Sequence, residues 1–160
     1  MLRRDLRRCV GKPLSLDRDR ETALWGWLRD SLQSIAVPKH IQRIEDSTKS
    51  GTPDVEGCIE GRNFWIELKV AYEQVKSPVV RVKTTDKQVY FAHRRTKVGG
   101  LSWYLIRVGK HPHRSHYLIH GSLAEQLFDR PVSLDWLHCN SAVAPNCTAA
   151  QALLRASQPK

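Results

Sequence analysis

Two acidic residues and a lysine lie on the two arms of an apparent β-hairpin. Asp54 follows Pro53, Glu67 precedes Lys69 by two residues, and Gly61-Arg62-Asn63 is the predicted turn between the arms. Side chains of a strand alternate between its faces, so Glu67 and Lys69 share one face, and Asp54 approaches them from the neighbouring arm. Three such groups at one point predict a chemical site and not a simple ion pair.

These residue types suit a hard divalent cation. Magnesium takes oxygen ligands in near-octahedral geometry, so that one or two carboxylates plus substrate phosphate oxygens are a sufficient cage. Asp54 and Glu67 are candidate ligands, and the backbone carbonyl of Leu68 is a further candidate oxygen. A bound metal acidifies a water and neutralises charge at phosphorus, while a lysine such as Lys69 orients that water. The stretch predicts phosphodiester hydrolysis with Mg²⁺, or with Mn²⁺ in its place.

The same stretch resembles the PD-(D/E)XK nuclease superfamily, with Pro53-Asp54 as the first half of the signature and Glu67-Leu68-Lys69 as the second. With Ser50-Gly51-Thr52 before Pro53 and Gln88 downstream, it is most similar to virus-type replication-repair nucleases (VRR-NUC) and related phage junction resolvases. The resemblance implies an α/β, restriction-endonuclease-like αβββαβ core with a mixed central sheet flanked by helices. It also implies a metal-dependent endonuclease for branched DNA, such as a Holliday junction.

The resemblance implies two further site residues, and each has an alternative explanation. Glu21 matches an acid that the family places on an early helix, but a carboxylate in a first helical turn also complements the helix dipole without any catalytic role. Gln88 matches a glutamine that lines the site, but Thr85 followed by Gln88 is also a capping box. We expect that both uses of Gln88 cannot be fully met at once. The sequence leaves each alternative open.

The composition indicates a single nucleic-acid-binding domain. A chain of 160 residues can bury one core, and 41% hydrophobic with 26% charged residues is typical of globular proteins. The formal charge of +10, from 26 basic and 16 acidic residues, favours a polyanionic partner, of which DNA is the expected one. No apolar run approaches the ~20 residues of a membrane helix, and the N-terminus lacks a secretory core, so we expect a cytoplasmic protein.

Hydrophobic periodicity predicts the order of the elements. Residues 1–16 are expected to be a basic arm, and 17–160 a single domain with a C-terminal helical extension. The predicted elements are a helix at 19–34, strands at 41–44, 54–59 and 63–70, a helix from Thr85 to 97, strands at 101–108 and 117–120, a short helix at 122–128 and a helix at 149–156. The short helix is expected to begin with a capping box of Ser122 and Glu125.

Basic residues around the predicted site are expected to contact DNA phosphates. They occupy the connection 71–84 and the end of the helix before Gly99: Lys76, Arg81, Lys83, Arg94, Arg95 and Lys97. No zinc finger or recognition helix is apparent, so recognition of branched DNA by shape is favoured over recognition of a base sequence. A four-way junction has two scissile strands, which implies a symmetric homodimer.

The histidines, cysteines and tryptophans suggest further sites, and each suggestion has an alternative explanation. The histidines between His111 and His120 suggest either a transition-metal site or, more favoured, a solvated DNA-facing loop. The cysteines lack CxxC spacing and are expected to be free thiols, although Cys139 and Cys147 with nearby histidines leave a zinc site open. Of the tryptophans, expected mainly in the core, Trp25 is the candidate for base stacking.

Two other functions remain open. A non-catalytic nucleic-acid-binding protein would use the same fold and charge, and would bind DNA without metal-dependent turnover. A sequence-specific restriction-type nuclease would cut long linear duplex into discrete fragments. The presence of all the polar groups of a nuclease site disfavours the first of these functions, and the small size of the chain mildly disfavours the second.

Overall fold

The computed structural model describes residues 16–45, 50–74, 76–110, 113–143 and 148–157. Except for Leu16, the predicted basic arm lies outside these residues. The elements in chain order are α1 (Leu16–Gln33), β1 (Lys39–Arg43), β2 (Val55–Ile59), β3 (Arg62–Ala71), β4 (Glu73–Gln74), β5 (Ser77–Val80), α2 (Asp86–Lys97), β6 (Leu101–Val108), β7 (Ser115–His120), a 3-10 turn (Gly121–Leu123), α3 (Ala124–Leu127), β8 (Val132–Ser133), α4 (Leu134–Asn140) and α5 (Ala149–Ser157).

A five-stranded mixed sheet forms the centre of the fold. Its strand order is β1-β2-β3-β6-β7, in which β3 and β6 are parallel and the other neighbours are antiparallel. Parallel neighbours need a long crossover connection, and here it contains α2. Helices lie on both faces of the sheet, so the predicted fold class is confirmed. The predicted helix that Thr85 caps is also confirmed, because α2 ends at Lys97.

The alternating side chains of β3 divide the core between the two faces of the sheet. Phe64, Ile66 and Leu68 are fully buried on the face covered by α1 and α5, where Leu24 and Leu28 of α1 pack against them. The opposite face carries a second apolar cluster that includes Ala92 of α2, Leu127 of α3 and Leu137 of α4. Because side chains alternate, Trp65, Glu67 and Lys69 point to the α2 face. Glu67 therefore lies beneath α2, where Gln88 contacts it, and Lys69 is on the same face of the sheet.

The segment 71–84, predicted as a basic connection, is instead part of a small second sheet. Its strands β4 and β5 pair with each other, and β5 also pairs with β8, which lies far along the chain. Val80 and Val82 are buried while Arg81 and Lys83 are exposed. Because side chains alternate, the two valines anchor the segment to the domain, and the two cations between and after them remain on the surface. Strands of two and four residues have too little periodicity to be recognised from sequence.

Two predicted local features are wrong. The hairpin turn consists of Glu60 and Gly61, both with positive φ (49° and 80°), and not of Gly61-Arg62-Asn63. Two positive-φ residues form the tight turn whose twist suits a hairpin, which leaves Arg62 and Asn63 free to pair in β3. The capping box at Ser122 does not form either: the side chain of His120 accepts from the Ser122 amide, and α3 begins two residues later.

None of the helices within the described part of the chain is long and apolar enough to cross a membrane.

Candidate functional site

Asp54 is held at the edge of β3, just before β2 begins. Its Oδ2 accepts a hydrogen bond of 2.7 Å from the backbone amide of Leu68. β2 pairs with β3 only from Val55, which lies opposite Ile66. The Asp54 carboxylate, just before β2, therefore takes the place of a strand carbonyl as the acceptor for the Leu68 amide. The N–H and C=O of a strand residue point to the same edge, and the Leu68 carbonyl therefore faces the side on which Asp54 lies.

Glu67 is a buried carboxylate with one oxygen held and the other unpaired. The residue is 4% exposed. Its Oε1 accepts from Lys69 Nζ at 2.7 Å and from Gln88 Nε2. Its Oε2 is buried and has no hydrogen-bond partner among the residues that the structure describes. A buried acceptor left without a donor is costly, and in native structures it often marks the place of an ion or a water.

Burial raises the pKa of both carboxyl groups. The pKa of Glu67 rises to about 7, chiefly because burial disfavours the charged form; Lys69 opposes the rise, while Asp54 and Glu21 add to it. The pKa of Asp54 is also raised by burial, against the Leu68 amide and the charges of Lys69 and Arg43. Two neighbouring carboxyl groups with raised pKa values indicate a site that holds too little positive charge to stabilise both in the ionised form.

Lys69 and Glu21 both line a cavity next to the Glu67 carboxylate, which Lys69 contacts. The cavity has a volume of about 350 Å³, and Arg81 and Lys83 also line it. The side chain of Lys69 is 12% exposed, so its ammonium borders this space while contacting Glu67. Because α1 begins at Leu16, Glu21 is its sixth residue and lies beyond the first turn that the sequence predicted. The helix dipole therefore explains Glu21 less well than its position beside Lys69 does.

Gln88 serves the helix cap and the site together, so the expectation that both uses cannot be met is wrong. Its side-chain Oε1 accepts from the backbone amide of Thr85 at 3.0 Å, and the backbone amide of Gln88 donates to Thr85 Oγ1 at 3.3 Å, which completes the capping box. Its Nε2 is left to donate to Glu67 Oε1. A side-chain amide carries separate acceptor and donor atoms, and each atom here has one of the two tasks.

The basic residues predicted to contact DNA fall into separate places. Arg81 and Lys83 line the cavity of Lys69. Arg94 and Arg95 line a different cavity, between β3, α2 and residues 50–52. Lys76 is exposed at the turn between β4 and β5, and Lys97 is exposed in the last turn of α2.

Three residues near the site were missed by the sequence analysis. Arg43 of β1 pairs with Val55, and its charge lowers the pKa of the neighbouring Asp54. Tyr104 of β6 is buried beside Glu67, and burial raises its pKa to about 12. Lys87 of α2 donates from Nζ to Ser50 Oγ at 2.7 Å. Only the register between strands could have placed Arg43 and Tyr104, while Lys87 could have been noticed next to Gln88.

The oxygen atoms at this site fit a divalent cation that lacks a complete protein cage. Within the described ranges, no group of three or more His, Cys, Asp or Glu side chains is arranged to hold a metal ion. Magnesium usually takes only one or two carboxylates from the protein and completes its shell with water and substrate. Asp54, the unpaired Oε2 of Glu67 and the Leu68 carbonyl match that pattern. Their hardness as ligands favours Mg²⁺ or Mn²⁺ over softer metals.

Of the other candidate metal ligands, two histidines pack against tryptophan rings, two cysteines are free thiols, and three residues lie outside the described part of the chain. His116 stacks on Trp27 with a ring separation of 3.9 Å, and His120 packs edge-on against Trp103. Cys58 and Cys139 are free thiols. His111, Cys9 and Cys147 lie outside the described residues, as does any zinc site that needs Cys147. Trp25, the candidate for base stacking, is partly buried against the core.

Comparison with solved structures identifies the fold. The chain is similar to Hjc, a Holliday junction resolvase from the archaeal hyperthermophile Archaeoglobus fulgidus, with a TM-score of 0.52 and 12% sequence identity. The alignment covers 86% of this chain and 98% of that chain. No protein-family model matches the sequence, and no curated protein matches it. The likeness shows that this chain shares the fold of that protein, and at this identity it shows the fold alone.

Proposed function

We propose that this chain is a metal-dependent endodeoxyribonuclease that hydrolyses phosphodiester bonds in branched DNA. The observation that carries the proposal is the unpaired, buried Oε2 of Glu67, on a carboxyl group whose burial raises its pKa to about 7. None of the described residues donates to this oxygen, which lies near a second carboxylate, Asp54. A divalent cation would supply the missing positive charge.

Asp54, Glu67 and the Leu68 carbonyl would hold the cation, and Glu21 would complete or tune its shell. When bound, the cation supplies charge neutralisation at the scissile phosphate and a more acidic water. Lys69 and Gln88 both bind Oε1 of Glu67, which fixes the carboxylate and leaves Oε2 available. The Lys69 ammonium borders the adjoining cavity, where it would orient the attacking water and stabilise charge on the phosphate oxygens.

Branched DNA is the proposed substrate. Support comes from the similarity to a Holliday junction resolvase and from the formal charge of +10. Arg81 and Lys83 line the same cavity as Lys69, and contacts from such cations position a phosphate backbone without reading its sequence. Cutting both strands of a four-way junction would need two copies of the site, hence a homodimer.

The order of Glu21, Asp54, Glu67, Lys69 and Gln88 supports placing the chain among VRR-NUC and phage junction-resolvase nucleases. A phage-encoded protein of this type would act in the cytoplasm of the host cell.

The test is cleavage of four-way, flap, single-stranded and linear duplex DNA by the purified chain, in Mg²⁺, in Mn²⁺ and in EDTA. We expect products from branched DNA with either metal and no products in EDTA. Salt-sensitive binding without cleavage in any metal would instead support a non-catalytic DNA-binding protein. Discrete fragments from a long linear duplex would support a restriction-type nuclease.

A further inference from the structure

A second cavity, of about 530 Å³, adjoins the acidic site. Trp65 lines it, and Trp65 precedes Glu67 by two residues on the same face of β3, about 7 Å along the strand. Phe91 also lines it and follows Gln88 by three residues, which places both on one side of α2. The second cavity and the acidic site are therefore neighbours along both β3 and α2.

The loop that leads into Asp54 forms one wall of this cavity. Ser50, Gly51 and Thr52 line it, and Lys87 of α2 ties the loop down by its hydrogen bond to Ser50. At Gly51 a Cβ atom would lie 2.7 Å from Lys87 Cβ, closer than side chains approach, so the loop packs directly on α2. The wall that shapes the cavity thus continues into the residues that position Asp54.

The lining of the cavity combines aromatic rings with positive charge. Among the described residues that line it are three aromatic side chains (Trp65, Tyr90 and Phe91) and three cations (Lys87, Arg94 and Arg95), with no carboxylate. Tyr90 is 62% exposed, and the guanidinium of Arg94 lies 5.5 Å from its ring centroid. Exposed rings beside cations are the combination with which proteins bind unpaired nucleotides, because the ring stacks on the base and the cations contact phosphate.

We propose that this cavity binds an unpaired nucleobase of the DNA strand whose phosphate enters the acidic site, with Tyr90 as the stacking ring. The inference rests on the proposed function, because it assumes a DNA strand running from Asp54 and Glu67 along β3. A branch point supplies an unpaired base, whereas a continuous duplex must first be unstacked. The cavity thus gives the nuclease a means of preferring branched DNA.

The charge of the lining argues for a nucleotide and against an apolar peptide as occupant. Burying an apolar peptide side chain beside three cations would remove water from their charges without pairing them, which is unfavourable. A nucleotide brings an aromatic base and a phosphate together, so both kinds of lining residue gain a partner.

The test measures binding in EDTA, where cleavage is absent. A flap or four-way DNA carries 2-aminopurine, a fluorescent base, at successive unpaired positions beside the branch. We expect the wild type to quench the fluorescence at one position, and Tyr90→Ala to lose this quenching and to bind branched DNA about tenfold more weakly, with duplex binding unchanged. Tyr90→Phe keeps a ring and should behave as the wild type. Thermal unfolding checks that each variant is folded.

Phe128→Ala is the matched control. Phe128 is an aromatic residue with 39% exposure that lines a separate cavity with Tyr90 and does not line the proposed base cavity. Phe128→Ala should therefore leave quenching and affinity unchanged. A loss of affinity as large as with Tyr90→Ala would overturn the proposal, since it would place the base in the cavity that Tyr90 and Phe128 share.

A coupling experiment decides the matter. An abasic site at the quenched position should weaken wild-type binding by about the same factor as Tyr90→Ala, and it should not weaken the Tyr90→Ala variant further. If the abasic site and Tyr90→Ala weaken binding independently, so that their effects multiply, the base cavity is refuted. Wild-type affinity in the Tyr90→Ala variant would refute it as well. Coupling without metal-dependent cleavage would refute only the nuclease activity, and cleavage without coupling would refute only the base cavity.

Discussion

Gln88 joins the first turn of α2 to the buried carboxylate of Glu67 through the two ends of one amide group. Its oxygen accepts from the Thr85 amide in the capping box, and its nitrogen donates to Glu67 Oε1. The start of α2 therefore sets the position of Glu67. A capping residue that is also part of a site couples the local stability of a helix to the geometry of that site.

Comparing Gln88→Ala with Thr85→Ala separates the effect of Gln88 on helix stability from its effect on the site. Both changes break the capping box and should lower the free energy of unfolding by about 1 kcal/mol. Only Gln88→Ala also removes one of the two donors to Glu67 Oε1, so only that variant should lose cleavage, by about tenfold. Denaturant unfolding and single-turnover cleavage measure the two effects. An equal loss of cleavage in both variants would show that Gln88 acts only through the helix.

Asp54→Ala and Lys69→Ala should each lower cleavage of branched DNA by at least about a hundredfold. These changes remove the chemical groups and leave the exposed basic surface intact, so DNA affinity in EDTA should stay within about twofold. Cleavage assays in Mg²⁺ and gel-shift titrations in EDTA provide the comparison. Lys39→Ala is the control for loss of a lysine, because Lys39 pairs with Ile59 at the end of β2 opposite to Asp54. Cleavage that survives in both site variants would reject the assigned residues.

The raised pKa of Glu67 predicts a dependence of stability on pH in the metal-free protein. The folded-state pKa of about 7 exceeds the ordinary 4.5, so between these values the folded protein keeps a proton that the unfolded chain loses. Stability should therefore fall as the pH rises through this window, by as much as a few kcal/mol. Glu67→Gln removes this loss: it should match the wild type near pH 4 and be more stable than the wild type near pH 8.

Metal binding should reverse the effect at high pH. Mg²⁺ should raise the melting temperature of the wild type near pH 8 and leave that of Glu67→Gln unchanged, since the variant lacks the carboxylate. Thermal unfolding in Mg²⁺ and in EDTA is the measurement. An equal rise in the melting temperature of both proteins would show that the metal binds at a site other than Glu67.

Gly51→Ala should destabilise the protein, whereas Gly26→Ala should stabilise it. Gly51 has a φ of +96° and packs against the Lys87 backbone, so an alanine there is both strained and crowded, at a cost of about 1–3 kcal/mol or more. Gly26 lies within α1 with nothing within 4 Å of an added Cβ, so alanine should gain about 0.5–1 kcal/mol. Urea unfolding checks both values. A neutral Gly51→Ala would mean that the loop does not need its close contact with α2.

Lys83→Ala should weaken DNA binding uniformly across sequences and lessen the dependence of affinity on salt. Removing one phosphate contact reduces the slope of log affinity against log salt by about 0.9 on duplex arms. Gel shifts over a range of salt concentrations measure this slope. Arg130→Ala is the control, since exposed Arg130 bonds to the Gln126 carbonyl outside the Lys69 cavity. An unchanged slope for Lys83→Ala would exclude Lys83 from the DNA interface.

Local patterns explain why much of the fold could be predicted. The strand at 101–108 and the helix that Thr85 caps follow from runs of apolar residues and from a capping pair, which act over a few residues. The three-residue turn and the Ser122 box failed because each had a local competitor: a two-residue turn at Glu60 and Gly61, and the His120 side chain. The pairing of β5 with β8 joins short segments far apart in sequence, and no local signal carries it.

The sequence by itself determined the acids and the lysine of the candidate site, because alternation along one strand puts Glu67 and Lys69 on one face and a short hairpin brings Asp54 to them. Only the tertiary structure decided what surrounds them. Strand register placed Arg43 near Asp54 and Tyr104 near Glu67, and packing of α2 brought Gln88 onto Glu67. Packing also put Arg81 and Lys83 at one cavity, and Arg94 and Arg95 at the other. The burial of a site and the charge around it depend on residues from distant segments, and these residues come together only when the chain folds.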